Sequence, residues 1–413
     1  MAVTADVVVA GGGVIGTAIA WRAALAGLDV VLVDPDVGDA ASGVAAGMLA
    51  PVSEALFGEG ALLAINLLAV QRFPSFAAEL EDATGHEVGL RREGTLAIGY
   101  DPDDLAALMR LTAFRRSAGL DAEELDSRAC RRLEPFLTPD VRGGVIFAGD
   151  WSVDNRWYAA ALRVAMAAAK VRIIRGRVTQ AQVAGGRVRG VGLADGTDID
   201  SAAVVVAAGY ASGTVDGLPS PLRAAVRPVK GQLLRLRHPK GIPPVISHTI
   251  RATVRGADVY LVPRADGEVI VGATSEERGP DRTVTAGAVH DLLRDAMSVL
   301  PVTSELILAE TCVGLRPGPP DNGPIVGGCG VDGLLLATGH YRNGILMSPV
   351  TADAIMAVLT GQRPSAQWEP FTPQRFAAEQ SAAGQSAAGQ SAAGQSAAGR
   401  SPAGRSPAGD RVR

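Results

Sequence analysis

The chain has 413 residues, 47% of them hydrophobic and 20% charged, with a net charge of −4. That length suits two or three domains with ample core, and the composition excludes a coiled coil or a disordered scaffold. The slightly acidic balance excludes a global basic field for nucleic acid or an acidic membrane. An Ala-, Val- and Gly-rich chain of this kind favours an α/β enzyme with many tight strand–helix turns.

The first forty residues read as one βαβ unit. Asp6 to Ala10 is a buried parallel strand, Thr17 to Ala26 a helix with Gly27 past its end, and Val30 to Val33 a second strand closing on Asp34. Between strand and helix, Gly11, Gly13 and Gly16 match G-x-G-x-x-G. The first glycine makes the tight turn, the second lets backbone approach a pyrophosphate, and the third lets helix pack on strand. The phosphates would meet the free N–H groups of the new helix. Asp34 is placed to accept from both ribose hydroxyls and to repel a 2′-phosphate, so the pattern indicates a dinucleotide without one.

Downstream elements separate FAD from NAD. The run from Ala41 to Pro51 is built of small residues that bring backbone close to a flat ring and a phosphate. Strands are expected over Arg172 to Val178, Gln180 to Val183, Arg187 to Leu193 and Thr197 to Ile199, turning at Gly185-Gly186 and Asp195-Gly196. An apolar strand from Ala202 to Ala207 then runs into Ala208-Gly209. A β-meander before a returning parallel strand is the pattern of FAD domains. A last strand, Leu334 to Ala337, leads through a Gly-rich turn at Thr338 to Gly344 into a helix from about Ser348 to Leu359. This puts a second helix N-terminus at the ring's carbonyl end. Residues 223–237 and 257–273 alternate as antiparallel strands do, and Asp103 to Ala118 and Ala286 to Val299 read as helices.

Other features exclude more than they assign. Cys130, Cys312 and Cys329 share no metal-ligand spacing, and the five His are scattered, so neither a zinc site nor a disulfide framework is expected. The apolar stretch Val7 to Ala20 is broken by glycines and too short to span a bilayer. With no later run of suitable length free of charges, a soluble cytoplasmic protein is expected. From Gln380 to Gly409 the unit QSAAG repeats four times and RSPAG twice. Nearly free of large apolar side chains, this reads as a flexible extension, with the ordered body ending near Phe371.

The segments GGGVIG (11–16), AAGMLAP (45–51), YLVPR (260–264), VGAT (271–274), GLRPGPPDNGPIVG (314–327) and GHYRNGILMSPVTA (339–352) carry a family likeness. The chain resembles FAD-dependent amino-acid oxidases of the D-amino-acid oxidase superfamily, and within it the glycine oxidases of bacterial thiamin biosynthesis. The similarity covers residues 3 to about 362. It implies an α/β fold in which a GR2-type, Rossmann-like FAD domain (1–86, 142–221 and 309–372) is interleaved with an antiparallel-sheet α+β substrate domain (87–141 and 222–308); the repeat tail (373–413), expected to be disordered from its composition, lies outside the resemblance.

The resemblance also implies roles for residues. Arg316 pairs with the substrate carboxylate; its bland alternative is an ion pair with nearby Asp321. Tyr260 reaches the same carboxylate, or is an ordinary sheet tyrosine. Arg342 borders substrate and flavin, or only orients the flavin loop. Met48 lies by the ring, or fills a gap in the core. FAD, held non-covalently, is expected to touch Gly11, Gly13, Val14, Ile15, Gly16, Asp34, Pro35, Ala41, Ser42, Ala46, Gly47, Met48, Val178, Ala208, Gly209, His340, Tyr341, Arg342, Asn343, Gly344, Ile345 and Leu346. No metal is expected. Asp258 and Ser275 depart from the family's His and Met, which makes one wall more polar and puts strict glycine preference in doubt.

The activity implied is oxidative deamination of glycine. Hydride passes from Cα to flavin N5, the imine gives glyoxylate and ammonia, and O2 becomes H2O2. The imine can instead serve as dehydroglycine for thiazole assembly, with a thiazole synthase as partner and a homo-oligomer, often a tetramer, as assembly. The competing readings are a sarcosine or small D-amino-acid oxidase, a dehydrogenase feeding a membrane quinone, and an FAD-binding protein without catalysis.

Overall fold

A computed structural model describes residues 3–38 and 41–376. The strand β1 (Val3–Ala10), helix α1 (Val14–Leu25) and strand β2 (Val30–Asp34) form the expected βαβ unit, and β1 and β2 pair in parallel from Val7↔Val30 to Ala10↔Val33. Gly27, at φ +86°, reverses the chain just past α1. A short turn of helix, α2 (Ala41–Val44), precedes the two-residue strand β3 (Met48–Leu49). Next comes the long helix α3 (Gly60–Thr84).

The sequence reading missed α3, and it corrects the statement that no later run is long and apolar enough to cross a membrane: by length and composition alone, this one is. It is nevertheless packed within the protein. Ile65, Phe73, Phe76 and Leu80 are fully buried, and Phe76 meets Trp21 of α1 edge-on at 5.3 Å. Each such side chain contributes about 1.5–3 kcal/mol by leaving water. Charged Arg72, Glu79 and Glu81 lie along the same helix.

The chain then enters the second layer. Strand β4 (Thr95–Gly99) leads to α4 (Pro102–Ser117), whose start is fixed by a capping box between Asp101 and Asp104. Strand β5 (Glu123–Asp126), helix α5 (Ser127–Leu133), strand β6 (Gly143–Phe147) and β7 (Trp151–Ser152) follow, with β7 pairing to β3. Helix α6 (Asn155–Ala168), also missed from sequence, is capped by Asp154.

Strand β8 (Arg172–Arg175) extends the parallel sheet beside β2. The strand expected through Val178 breaks here, because Gly176 N–H donates to Asp34 O and the chain turns away. Strands β9 (Val178–Ala184) and β10 (Arg187–Leu193) make the meander. The two short strands expected next are one continuous β11 (Asp198–Val206). Its first half pairs antiparallel with β10, while its whole length runs parallel to β1.

After the short helix α7 (Ser220–Arg223), the antiparallel layer resumes with β12 (Arg227–Arg237), β13 (Thr249–Val254), β14 (Ala257–Pro263) and β15 (Glu268–Gly272). Helix α8 (Ala286–Val299) lies against these strands, and β16 (Ile307–Gly318) closes the layer. The chain returns through β17 (Ile325–Gly328) and β18 (Leu334–Thr338) to α9 (Gly344–Leu359). Helix α9 begins four residues earlier than expected and contains Pro349. The Ile345 carbonyl, which a proline cannot serve, accepts from Ser348 Oγ at 2.8 Å.

One sheet thus has the order β17-β18-β11-β1-β2-β8, with β10 and β9 branching from β11; the other runs β16-β12-β15-β14-β13-β4-β6-β5. Helices α1, α3, α6 and α9 bury one face of the first sheet. Two strands pair across the segment boundaries expected from sequence: β6 follows residue 142 and most of β16 follows 309, yet both belong to the antiparallel sheet. The body also runs beyond Phe371. Phe376 is buried against the meander side of the first sheet, and Arg375 pairs with Asp321 at 2.8 Å. The repeats from Gln380 lie outside the described residues.

Candidate active site

The C-terminal ends of β1, β2, β11 and β18 converge on a cavity of about 610 Å³ that continues to the antiparallel sheet. This is where parallel sheets bind ligands, because the following loops and helix N-termini expose free N–H groups there. At this end the glycine turn behaves as its spacing requires. Gly11 adopts φ +120°, and a Cβ on Gly16 would lie 1.9 Å from the Gly11 carbonyl oxygen. Gly16 therefore brings helix against turn and does not itself line the cavity. Gly13, Val14 and Ile15 do line it. Gly13 caps α1 without any side-chain hydrogen bond, as an anion-binding helix start does.

Asp34 is held by the turn it serves. One carboxylate oxygen accepts from Gly12 N–H at 2.7 Å and the other from Asp36 N–H at 2.8 Å. Pro35, Ala41, Ser42, Ala46, Gly47, Met48, Val178, Ala208 and Gly209 line the same cavity. Ser42 Oγ accepts from Val14 N–H at 3.1 Å, linking the small-residue run to the start of α1. From the far side come His340, Tyr341, Arg342, Gly344 and Ile345. Leu346 is buried in the helical core instead, and Asn343 faces an adjoining smaller chamber. His340 is buried with Nε2 2.9 Å from Thr351 Oγ1, and burial lowers its imidazole to about 3. It is therefore neutral at physiological pH.

These features fit an elongated dinucleotide. Two helix starts, those of α1 and α9, open on one cavity, and the backbone between them is kept bare by glycine and alanine. FAD would be held by residues 11–15, 34–35, 41–48 and the 338–345 turn.

The antiparallel sheet supplies the other end. Arg316 on β16 and Tyr260 on β14 both line the cavity. Arg316 does not pair with Asp321, which is occupied by Arg375 and by Gly323 N–H. It donates instead to the Thr274 carbonyl at 3.0 Å and lies across Gly231 of β12, where a Cβ would be 2.4 Å from Nη1. The Tyr260 phenol lies across Gly272 of β15 in the same way. Burial raises the Tyr260 hydroxyl above its ordinary value, against the opposing pull of Arg316 and Arg251. Arg342 is exposed on the cavity rim, 5.0 Å over the ring of Tyr341. Burial is the largest influence on the Tyr341 hydroxyl and raises it, but Arg342, Ser275 and Arg316 together bring it below the ordinary phenol value. Met48 is half-buried, its sulfur 3.9 Å from Arg251.

Several lining residues carried no signal that the sequence reading used. Arg251 of β13 stands directly opposite Tyr260 and donates to Glu54 at 2.7 Å; both charged groups face the cavity. Arg282 also lines it. Asp258, noted from sequence, accepts from Thr253 at 2.9 Å. Arg264 binds the carbonyls of Ala46 and Val153, at 2.7 and 2.8 Å, and so fastens the Gly47 turn to the antiparallel sheet. Glycines at 231 and 272 inside strand patterns were the available clue, since glycine in a strand often marks a close approach. Among the described residues no cluster of His, Cys, Asp and Glu suits a metal.

Comparisons with known proteins agree with this geometry. A family model described as DAO, FAD dependent oxidoreductase, matches residues 6–358. The bifunctional protein ThiO/ThiG of Synechocystis sp. is 36% identical over 91% of this chain, and the chain spans about half of that relative, 55%. The glycine oxidase of Pseudomonas putida is 31% identical over 89% of this chain and 98% of its own length. The crystal structure of glycine oxidase from Geobacillus kaustophilus superposes with a TM-score of 0.83 at 30% identity, covering 90% of this chain and 99% of that one. With the cavity, the glycine turn and the two-sheet frame already in place, these matches make the chain a member of the DAO family of FAD-dependent oxidoreductases.

Proposed function

We propose that the chain oxidises glycine to its imine with O2 as electron acceptor. The observation that carries this reading is that Arg316 and Tyr260 of the antiparallel sheet share one cavity with the glycine turn and Asp34 of the parallel sheet. FAD, when bound, takes two electrons from the amino acid and passes them to O2 as peroxide. Arg316 pairs with the substrate carboxylate through both guanidinium arms, which stay charged when water is excluded. Tyr260 donates its hydroxyl to the same group. Arg342 and Met48 border the reacting end. Together they hold the substrate in one orientation, and no side chain of the cavity is assigned as a dedicated base.

The imine then hydrolyses to glyoxylate and ammonia, or passes as dehydroglycine to a thiazole synthase. The ThiO/ThiG relatives, in which two activities share one chain, support such a partner. We read the parallel-sheet segments as the FAD domain and the antiparallel layer as the substrate domain of a cytoplasmic homo-oligomer. Its three cysteines are all free and buried, which agrees with a reducing compartment.

A second reading, sarcosine or a small D-amino acid as substrate, is favoured by the polar wall of Glu54, Arg251, Asp258 and Ser275. The experiment is anaerobic flavin bleaching with glycine, sarcosine and D-alanine offered separately. Rapid bleaching by glycine, and peroxide on readmitting air, is expected. A yellow protein that none of the three bleaches would sink both readings.

A further inference from the structure

The segment that follows β15 breaks the ladder with β12 beside Arg316. Lys230 and Glu276 exchange both backbone hydrogen bonds, at 2.8 and 2.9 Å, and Leu233 faces Gly272. The three steps from 230 to 233 thus oppose the four from 272 to 276, which makes Ala273 the extra residue of a β-bulge. Gln232 and Thr274 stand where the next pair would exchange two backbone bonds. Thr274 N–H does donate to the Gln232 carbonyl, at 3.1 Å, but Gln232 N–H donates to the Thr274 hydroxyl oxygen, at 2.9 Å. The Thr274 carbonyl is thereby left out of the ladder, and it accepts from Arg316 Nη1 at 3.0 Å.

The hydroxyl is fully used in this arrangement. Its proton goes to Glu276 Oε1 at 2.7 Å while its lone pair takes Gln232 N–H. Burial raises Glu276, yet hydrogen bonds from Thr274 and Gln232 and the charges of Lys230 and Arg278 hold it below the ordinary carboxylate value, so it acts as an acceptor. The segment has other anchors as well. Buried Gln232 donates to Glu276 at 2.7 Å and accepts from Thr285 N–H, at the cap of α8, at 2.9 Å. The fully buried Lys230 side chain pairs with Asp281 at 2.5 Å.

We propose that Thr274 is a positioning residue for the substrate anchor: its hydroxyl replaces its own carbonyl in the ladder, and the freed carbonyl orients the Arg316 guanidinium across Gly231. One N–H of the guanidinium is committed to this bond, and the remaining donors are left for a carboxylate. Without the hydroxyl, Gln232 N–H is unpaired unless the Thr274 carbonyl turns back to it and away from Arg316. The role rests on the reading of Arg316 as the carboxylate anchor.

The test uses the FAD-loaded, full-length protein, with acetate as a probe that offers a carboxylate and no amine. Acetate binding is read from the flavin absorption spectrum, and glycine from anaerobic flavin reduction in a stopped flow. Thr274→Val keeps the branched shape and removes the hydroxyl. It should bind acetate about tenfold more weakly and raise the glycine half-saturation equally, with the limiting reduction rate nearly unchanged. Thr274→Ser, which keeps the hydroxyl, should restore both. In an Arg316→Lys background, Thr274→Val should add no loss, because the fork it orients is gone. Unaltered acetate binding in Thr274→Val, failure of Thr274→Ser to restore it, or a further tenfold loss in the Arg316→Lys background overturns the role. If Thr274→Val does not fold, Thr274→Cys, whose sulfur accepts only weakly, takes its place with the same outcomes. No acetate binding by the unaltered protein, or unaltered binding in Arg316→Lys, overturns the anchor and this role with it. The expected acetate pattern in a protein that glycine does not bleach keeps the role and overturns glycine as the substrate.

Discussion

Gly272 stands directly opposite Tyr260 in the antiparallel register, and a Cβ at Gly272 would lie 2.4 Å from the phenol oxygen. Gly231 lies two positions along β12 from Val229, the register partner of Arg316, and a Cβ there would lie 2.4 Å from the Arg316 Nη1. The two side chains proposed to hold the substrate carboxylate are therefore laid flat across glycine backbone on neighbouring strands. Gly272→Ala should push the phenol out of place and lower kcat/KM for glycine by about tenfold to a hundredfold, since ångström-scale misplacement has effects of that size. Steady-state kinetics, with the flavin spectrum as a control for FAD content, checks this. Unchanged kcat/KM would remove Tyr260 from the carboxylate anchor.

Arg316→Lys keeps the charge but loses the planar fork. We expect KM to rise about a hundredfold, because a lysine binds a carboxylate as a point charge without the paired hydrogen bonds. Tyr260→Phe should raise KM less, about tenfold, and leave the limiting rate of anaerobic flavin reduction nearly intact. Stopped-flow reduction across a glycine series separates the two effects. A collapse of the limiting rate in Tyr260→Phe would mean that the phenol does more than position the substrate.

Asp34→Ala removes the acceptor of both Gly12 N–H and Asp36 N–H at the cofactor end. The protein should purify with less FAD and bind added FAD at least tenfold more weakly, consistent with loss of charge-assisted hydrogen bonds. Fluorescence titration of the apoprotein with FAD measures this. Full FAD content in the variant would contradict the placement of the ribose at Asp34.

Two buried groups tilt stability in opposite directions with pH. Burial lowers His340 to about 3 from 6.5, so its contribution is present above pH 6.5 and is lost as pH falls towards 3. Burial raises Asp150 to about 6 from 3.8, despite the N–H groups of Val52 and Ser53 that it accepts. Its contribution is present below pH 3.8 and is lost as pH rises through 6. Each slope is about 1.4 kcal/mol per pH unit, and between pH 4 and 6 they oppose one another. Asp150→Asn removes one of them, so its Tm should climb more steeply from pH 4 to 6 than that of the unaltered protein. Thermal melts at three pH values check this, and a flatter profile would refute it.

The cofactor end was legible in the sequence because its determinants are local. Gly11, Gly13 and Gly16 act within one strand–turn–helix, and Asp34 follows at the end of the next strand, so spacing alone places them together. Helix α3 was not legible. Its long apolar run, interrupted by Pro74 and without a strong stripe, lacks the periodicity that marks a surface helix, because helices α6 and α9 pack along it. The strand over Asp198–Val206 was split in two because polar residues at its start face one partner and apolar residues at its end another.

By itself the sequence determined the glycine turn, the aspartate that closes the next strand and the meander, since each depends on residues close along the chain. Only the tertiary structure decided which side chains share the substrate end. Arg251, opposite Tyr260 in a local hairpin, meets Glu54 only through packing across nearly two hundred residues, and Arg316 donates to the Thr274 carbonyl while Arg375 and Gly323 N–H take Asp321. Register and sheet order are settled by burial over the whole chain, so no local pattern could have assigned those partners.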